Sequence, residues 1–311
     1  MNLNTIVEVK RPASPDEITQ WRDGYAWLGG GTWLFSEPQW ATDTLIDLDQ
    51  FGWPSLQASS VGLEIAATGR IVELYRFEGP AEWTAAPLFR LCCDSLLGSF
   101  KIWNVATIGG NICMSLPAGP MISLTTALEA TYTLWPRDAA PRDIKAIDFV
   151  TGNHANVLRP GELLRSIKIP AAALAKRFAF RRASLTHLGR SSVLVIGTQD
   201  RAKHDLLLTI TASTPRPVQL RFGQVPSADD LRRAIDAQIS ADDYSTTSTG
   251  FLPTGVTRPT ILPNRSARNS RSQALKVADL KFPQWSPQGR MRGAAGVLRT
   301  SESGHGHELQ Y

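Results

Sequence analysis

Tyr25-Ala26-Trp27-Leu28 runs straight into Gly29-Gly30-Gly31-Thr32-Trp33-Leu34, and further along Val105 leads into Ala106-Thr107-Ile108-Gly109-Gly110-Asn111. The first stretch reads as a short apolar strand ending in a glycine turn. Glycines permit positive φ and bring backbone N–H groups up to a ligand with no Cβ between. Successive N–H groups in such a turn make a concave anion site that suits a pyrophosphate. The second stretch reads as a Gly-Gly turn in which Thr107 and Asn111 add a hydroxyl and an amide able to hydrogen-bond phosphate or sugar. Taken singly, each also reads as a plain turn. Neither is the G-x-G-x-x-G dinucleotide fingerprint, and no Gly-Lys-Ser/Thr follows, which disfavours nicotinamide and nucleoside triphosphate loops.

Outward from these segments the chain divides by pattern. Residues 1–57 read as a small α/β unit, with strands at 7–9, 25–28 and 44–48 and a helix start at Ser14-Pro15-Asp16-Glu17. Residues 58–172 read as a second unit. It holds a strand at 63–67, a helix over 80–98 with Leu88, Leu91, Leu96 and Leu97 on its apolar face, a helix over 121–131, and a strand from Leu163 stopped by Pro170. Residues 175–244 read as a third unit, with strands at 192–196 and 206–210. Its amphipathic helix over 228–239 carries Leu231, Ile235 and Ile239. Residues 245–311 are rich in Ser, Thr, Pro, Gly and Arg without periodicity and read as an irregular basic tail.

The length of 311 residues suits roughly two domains, and 42% hydrophobic residues make the composition globular. The formal charge is +5, but residues 245–311 hold nine Lys/Arg against three Asp/Glu, so the excess belongs to the tail. With no compact basic face or aromatic platform, nucleic acid is not an expected partner. Three cysteines, two of them adjacent, and no C-x-x-C pair imply no iron–sulfur cluster or structural zinc in this chain. No signal-peptide core and no apolar run of roughly 20 residues is present, so a cytoplasmic protein without a membrane span is expected. His154, His187 and His204 are isolated, His305 and His307 lie in the tail, and none has metal-ligand spacing. Phe180-Arg181-Arg182 reads as ordinary solvated arginines, with a flavin or phosphate contact as the second reading.

Together, in this order and separation, the two glycine segments resemble those of the FAD-binding, or medium, subunits of molybdenum hydroxylases of the carbon monoxide dehydrogenase and xanthine dehydrogenase type. Leu45-Ile46-Asp47-Leu48 and Pro160-Gly161-Glu162-Leu163-Leu164 agree with it, and the resemblance covers residues 1–244. It implies an α/β (α+β) fold: a two-subdomain FAD-binding fold of the molybdopterin dehydrogenase type, followed by a smaller α/β C-terminal domain. FAD would lie extended between the subdomains. Leu28, Gly29, Gly30, Gly31, Thr32 and Trp33 would hold it from one side and Ala106, Thr107, Gly109, Gly110 and Asn111 from the other, largely through backbone. The implied role is electron transfer in a heterotrimer. A large subunit would carry the molybdopterin cofactor and a small subunit 2Fe-2S clusters, with NAD or a quinone as external acceptor. Such a subunit needs no catalytic residue of its own, because the isoalloxazine does the redox chemistry.

The chain departs from the family pattern at two places near the second segment. Trp103 stands where an Arg is frequent, and Leu116-Pro117-Ala118-Gly119-Pro120 lacks the acid of the family's Ser-Pro-x-x-Asp. A third departure lies beyond residue 244. Codons for Ser245 to Gly250, read one base earlier, can encode the Asp-Asp-Val-His-Gly that the family carries next, so the tail reads as out of frame. Two further readings stay open: a stand-alone FAD-dependent oxidase of the same fold, and a flavin-free scaffold relative.

Overall fold

The computed structural model describes residues 4–240 apart from 185, 187, 188 and 201, together with Asp243 and the backbone of a strand at Ala295–Leu298. The readings of His187, His305 and His307, and of the tail with its frame, fall outside the described residues except at Ala295–Leu298, where a strand stands in a stretch read as irregular.

Strands β1 (Glu8–Lys10), β2 (Tyr25–Leu28) and β3 (Thr44–Asp47) form a parallel sheet in the order β1-β3-β2. Parallel neighbours need a crossover, so residues 29–43, glycine turn included, are the connection from β2 to its partner β3. The central strand is the apolar one: Leu45 and Ile46 are buried. The helix start at Ser14 yields only a single 3-10 turn, Pro15–Glu17, because Ser14 makes no side-chain cap and no apolar stripe follows to bury a longer helix.

Next come β4 (Leu56–Ser59), β5 (Gly62–Ala66), α1 (Ile71–Arg76), α2 (Pro87–Asp94), α3 (Phe100–Trp103), α4 (Ile108–Cys113) and α5 (Pro120–Ala127). They are followed by β6 (Thr131–Trp135), β7 (Arg142–Lys145), α6 (Ala146–Phe149), the hairpin β8 (Val150–Gly152) and β9 (Ala155–Asn156), and β10 (Leu163–Pro170). An antiparallel sheet in the order β4-β5-β10-β6-β7 underlies the helices. Alternation places Tyr132 and Leu134 of β6 inward. Helix α2 is shorter than the stretch 80–98. Pro87 fixes its first turn, Leu88, Phe89, Cys92 and Cys93 are its buried residues, and Leu97, beyond its end, is 57% exposed. Every residue of α5 is buried, as befits a helix with packing on all sides.

After α7 (Ala171–Leu174), β11 (Arg177–Ser184), β12 (Ser191–Gln199), β13 (Leu206–Thr211) and β14 (Val218–Phe222) form an antiparallel sheet that β15 (Ala295–Leu298) joins in parallel alongside β11. Phe178, Phe180, Leu194 and Ile196 on one face share a continuous core with the helices of the preceding unit. On the other face Val193, Val195, Leu208 and Ile210 meet Leu231, Ile235 and Ile239 of α8 (Ala228–Gln238) and its C-cap. Burying each such aliphatic side chain contributes about 1.5–3 kcal/mol. The first sheet attaches differently. Leu48, Phe51 and Leu163 pack with Trp27, Trp53 and Trp135, and the Arg165 guanidinium lies 4.2 Å from the Trp53 ring centroid.

Candidate functional site

Leu28 ends β2 with its carbonyl accepting from Leu48 N–H at 3.0 Å. Beyond it the chain turns away from the sheet. Gly31 takes φ +67°, the left-handed region that glycine enters without cost, and its carbonyl accepts from Phe35 N–H at 2.8 Å, closing the turn. Among the described residues, no backbone or side-chain acceptor takes the N–H groups of Gly29, Gly30, Gly31, Thr32 or Trp33. A run of consecutive unengaged amides on a turn is the backbone form of an anion site.

The second segment corrects the expectation of a Gly-Gly bend. Gly109 and Gly110 lie within the first turn of α4, and Thr107 is its N-cap, Oγ1 accepting from Gly110 N–H at 3.0 Å. The other amides of that turn are engaged too: Ile108 donates to Gly69, Gly109 to Ala67 and Asn111 to Thr107 carbonyls. Ala106 is a core residue, its carbonyl accepting from Ile71 N–H at 3.0 Å. Gly109 is a packing glycine, since a Cβ there would lie 2.5 Å from the Cβ of Ala67. Among the described residues, the amides of Ile108 to Asn111 are thus engaged within the chain itself. What faces outward is the exposed Gly110, where a Cβ would meet only the Thr107 hydroxyl. The Thr107 O–H and the Asn111 side-chain amide N–H remain as donors. Asn111 Oδ1 itself accepts from Met121 N–H at 3.1 Å and so caps the start of α5. That start is where the family's acid is missing, and Pro120 there is buried.

Folding brings the two segments into direct contact. A Cβ on Gly30 would lie 2.0 Å from the Val105 carbonyl oxygen, and one on Gly29 would lie 2.9 Å from Thr107 Oγ1. Gly29 and Gly30 are thus needed for loop-on-loop approach as well as for access to a ligand. At the far end of the loop, Trp33 meets His154, their ring centroids 5.6 Å apart. The result is an arch of free amides seated on the α4 start at one end and on a hairpin side chain at the other. Sequence reasoning set His154 aside as isolated; its partner is 121 positions away in the chain, by the numbers of the two residues.

Other singled-out residues stand apart from this arch. Burial pushes the Cys92 thiol well up and the Cys93 and Cys113 thiols up to about 12, away from thiolate character. Arg182, expected in solvent, is buried: its Nε donates to Ser191 Oγ at 2.9 Å and Nη2 to the Gly189 carbonyl. Trp103 lies against Tyr75 with ring centroids 5.0 Å apart, and its indole N–H, shielded from solvent, has no hydrogen-bond partner among the described residues. Among the described residues no group of three or more His, Cys, Asp or Glu could hold a metal ion, and no helix is long and apolar enough to cross a membrane.

A small parallel sheet, an antiparallel sheet and an amide arch where they meet make up the site. Residues 5–172 match the family described as the FAD binding domain in molybdopterin dehydrogenase. The chain belongs to that family, whose cofactor is FAD. It is similar to a xanthine dehydrogenase of Oryza sativa subsp. japonica, 29% identical over 122 residues, 37% of this chain and 9% of that protein. It is also similar to the carbon monoxide dehydrogenase medium chain of Afipia carboxidovorans, 32% identical over 87 residues, 28% of this chain and 30% of that one. The chain thus matches under a third of the length of these relatives. A solved structure of carbon monoxide dehydrogenase from Hydrogenophaga pseudoflava shares the fold, with TM-score 0.71 over 88% of this chain and 94% of that one at 17% identity.

The residues present fit FAD. Five adjoining amides on a left-handed turn offer donors for the pyrophosphate, and the bare face of Gly110 leaves room for close approach.

Proposed function

We propose that this chain is the FAD-binding electron-transfer subunit of a molybdenum-containing hydroxylase or dehydrogenase. It accepts electrons from 2Fe-2S clusters of a small partner subunit and passes them to an external acceptor such as NAD or a quinone. A large partner subunit carries the molybdopterin cofactor and the substrate site, and the assembly is cytoplasmic. The observation that carries this reading is the arch of free amides at 29–33, seated on the Thr107-capped start of α4 within a chain of this family.

When bound, FAD supplies the redox chemistry through its isoalloxazine ring. The chain's own residues bind and orient it. The amides of Gly29 to Trp33 would donate to the pyrophosphate, and Gly110 would let the backbone of α4 come close. The Thr107 hydroxyl and the Asn111 amide would hydrogen-bond neighbouring oxygens. Asn111 is held for this by its bond to Met121. With no acid at Pro120, the chain would hold the cofactor without the carboxylate that the family pattern supplies there.

The test is an absorption spectrum of the purified chain, followed by heat release of any flavin. The expected result is flavin bands and FAD released without a covalent link, with molybdenum and iron in the co-purified complex. A chain that stays colourless after reconstitution with FAD would overturn the reading. Flavin without molybdenum or iron partners would favour a stand-alone oxidase.

A further inference from the structure

The free-amide arch has one seat that no family motif accounts for, the ring of His154. This residue sits at the turn of the β8–β9 hairpin with φ +56°, a conformation that costs a non-glycine residue energy and persists where surroundings impose it. Here the surroundings are specific. His154 N–H donates to the Ser115 carbonyl at 3.0 Å. Asn156 Nδ2 donates to the Cys113 carbonyl at 2.9 Å and lies 3.0 Å from Ser115 Oγ. Ser115 is itself left-handed, at φ +52°, and fully buried. The hairpin is therefore fastened to the residues that end α4, and the His154 ring is presented at a fixed place. It meets Trp33, the last of the free amide residues, at 5.6 Å with a 45° tilt, a geometry in the favourable range for ring pairs.

We infer that His154 is a positioning residue for the cofactor: by stacking on Trp33 it holds the 29–33 arch in the shape that presents its amides. The inference rests on the FAD-binding reading. His154 does not have to touch FAD, and its imidazole is exposed, so its removal opens no cavity. Without the ring pair the outer end would be held only by its own local turn bonds, Phe35 N–H to Gly31 and Ser36 N–H to the Trp33 carbonyl, and the amides of Thr32 and Trp33 would sample more orientations. A ligand would then bear the entropy of ordering them.

The experiment compares His154→Ala and His154→Phe with the parent chain. FAD affinity is measured by quenching of flavin fluorescence, and loop order in the FAD-free chain by hydrogen exchange at Phe35 and Ser36. Those two amides bond the Gly31 and Trp33 carbonyls, so they report the arch directly. For His154→Ala the expected result is a Kd raised about three- to tenfold, the scale of one ring pair. Faster exchange at both amides and an unchanged unfolding midpoint should accompany it. His154→Phe, which keeps a ring, should restore both readouts. Unchanged exchange and affinity in His154→Ala, or a Phe variant as impaired as the Ala variant, would overturn the positioning role. A parent chain that binds no FAD would overturn the functional reading instead, while the exchange data would still decide the role of His154 in ordering the loop.

Discussion

Gly30 and Gly110 do different work, and substitution separates them. At Gly30 a Cβ would lie 2.0 Å from a backbone oxygen that cannot step aside. Overpacking of this kind costs about 1–3 kcal/mol or more. Gly30→Ala is expected to lower the unfolding midpoint and abolish flavin retention together. At Gly110 the Cβ would meet only a hydroxyl at 2.8 Å, and the residue is helical and exposed. Alanine suits a helix better than glycine, which offsets the shift its Cβ forces on the Thr107 cap, so Gly110→Ala should fold with a far smaller drop in midpoint than Gly30→Ala while losing FAD affinity, read by flavin titration. Equal losses of both quantities in the two variants would contradict this division. Gly29 and Gly30 were legible as a turn from the strand that precedes them. That they also carry the contact with Val105 and Thr107 was not, because the contact joins segments far apart in the chain. The same distance hid His154, whose left-handed φ and partner leave no local pattern in the sequence.

At the scale of elements, α4 shows how a sound local rule can fail. Two adjacent glycines argue for a bend, since each weakens a helix by about 1 kcal/mol. Here the helix forms because Gly109 must come within packing distance of Ala67 and because Thr107 caps the end. The cap was readable in hindsight: a Thr three residues before Gly110 sits at N-cap spacing. Thr107→Val keeps the shape and removes the acceptor. It should cost about 1 kcal/mol and lower the midpoint by roughly 2–4 °C, checked by thermal melting. A midpoint unmoved would mean that packing on Ala67 alone sets α4. Some strands were legible from short apolar or alternating runs, and β2 lies over the residues expected, whereas β6, β11 and β14 were not; Leu231 and Ile235 of α8 are buried as its spacing required. The stretch 80–98 was read too long. Its leucines suit a helix, but Pro87 sets the start and the apolar residues past Asp94 pack, or stay exposed, outside it.

Across the whole molecule, the sheet carrying β11 to β14 is tied to the helical layer by charge as well as by its apolar face. Glu129, at φ +52° just past α5, bonds both Lys176 and Arg221, the latter at 2.8 Å. Burial pushes its carboxyl up, but the two cations outweigh that and leave it below the usual carboxylate range. A carboxyl whose folded pKa is depressed adds stability that is present above its unfolded value, about 4.3, and is lost as pH falls through the folded value. The stability difference between the parent chain and Glu129→Gln should therefore be largest near neutrality and shrink as pH drops below about 4. Denaturant titrations at a series of pH values would read it, and a difference that stays flat or grows in acid would refute the link. None of this was visible beforehand, since charged residues so far apart in sequence give no pairing signal.

The seating of Gly30 on Val105 also has a consequence in time. The arch belongs to the crossover of the first sheet, whereas its seat belongs to the helical layer of the second, so the nest cannot exist until both have formed and docked. Closing such non-local contacts comes late. FAD is then a latch that fastens a nearly finished protein rather than a nucleus around which it grows. Refolding in excess FAD should recover far-ultraviolet circular dichroism first and quench flavin fluorescence afterwards, with helix and strand already in place while the cofactor is still free.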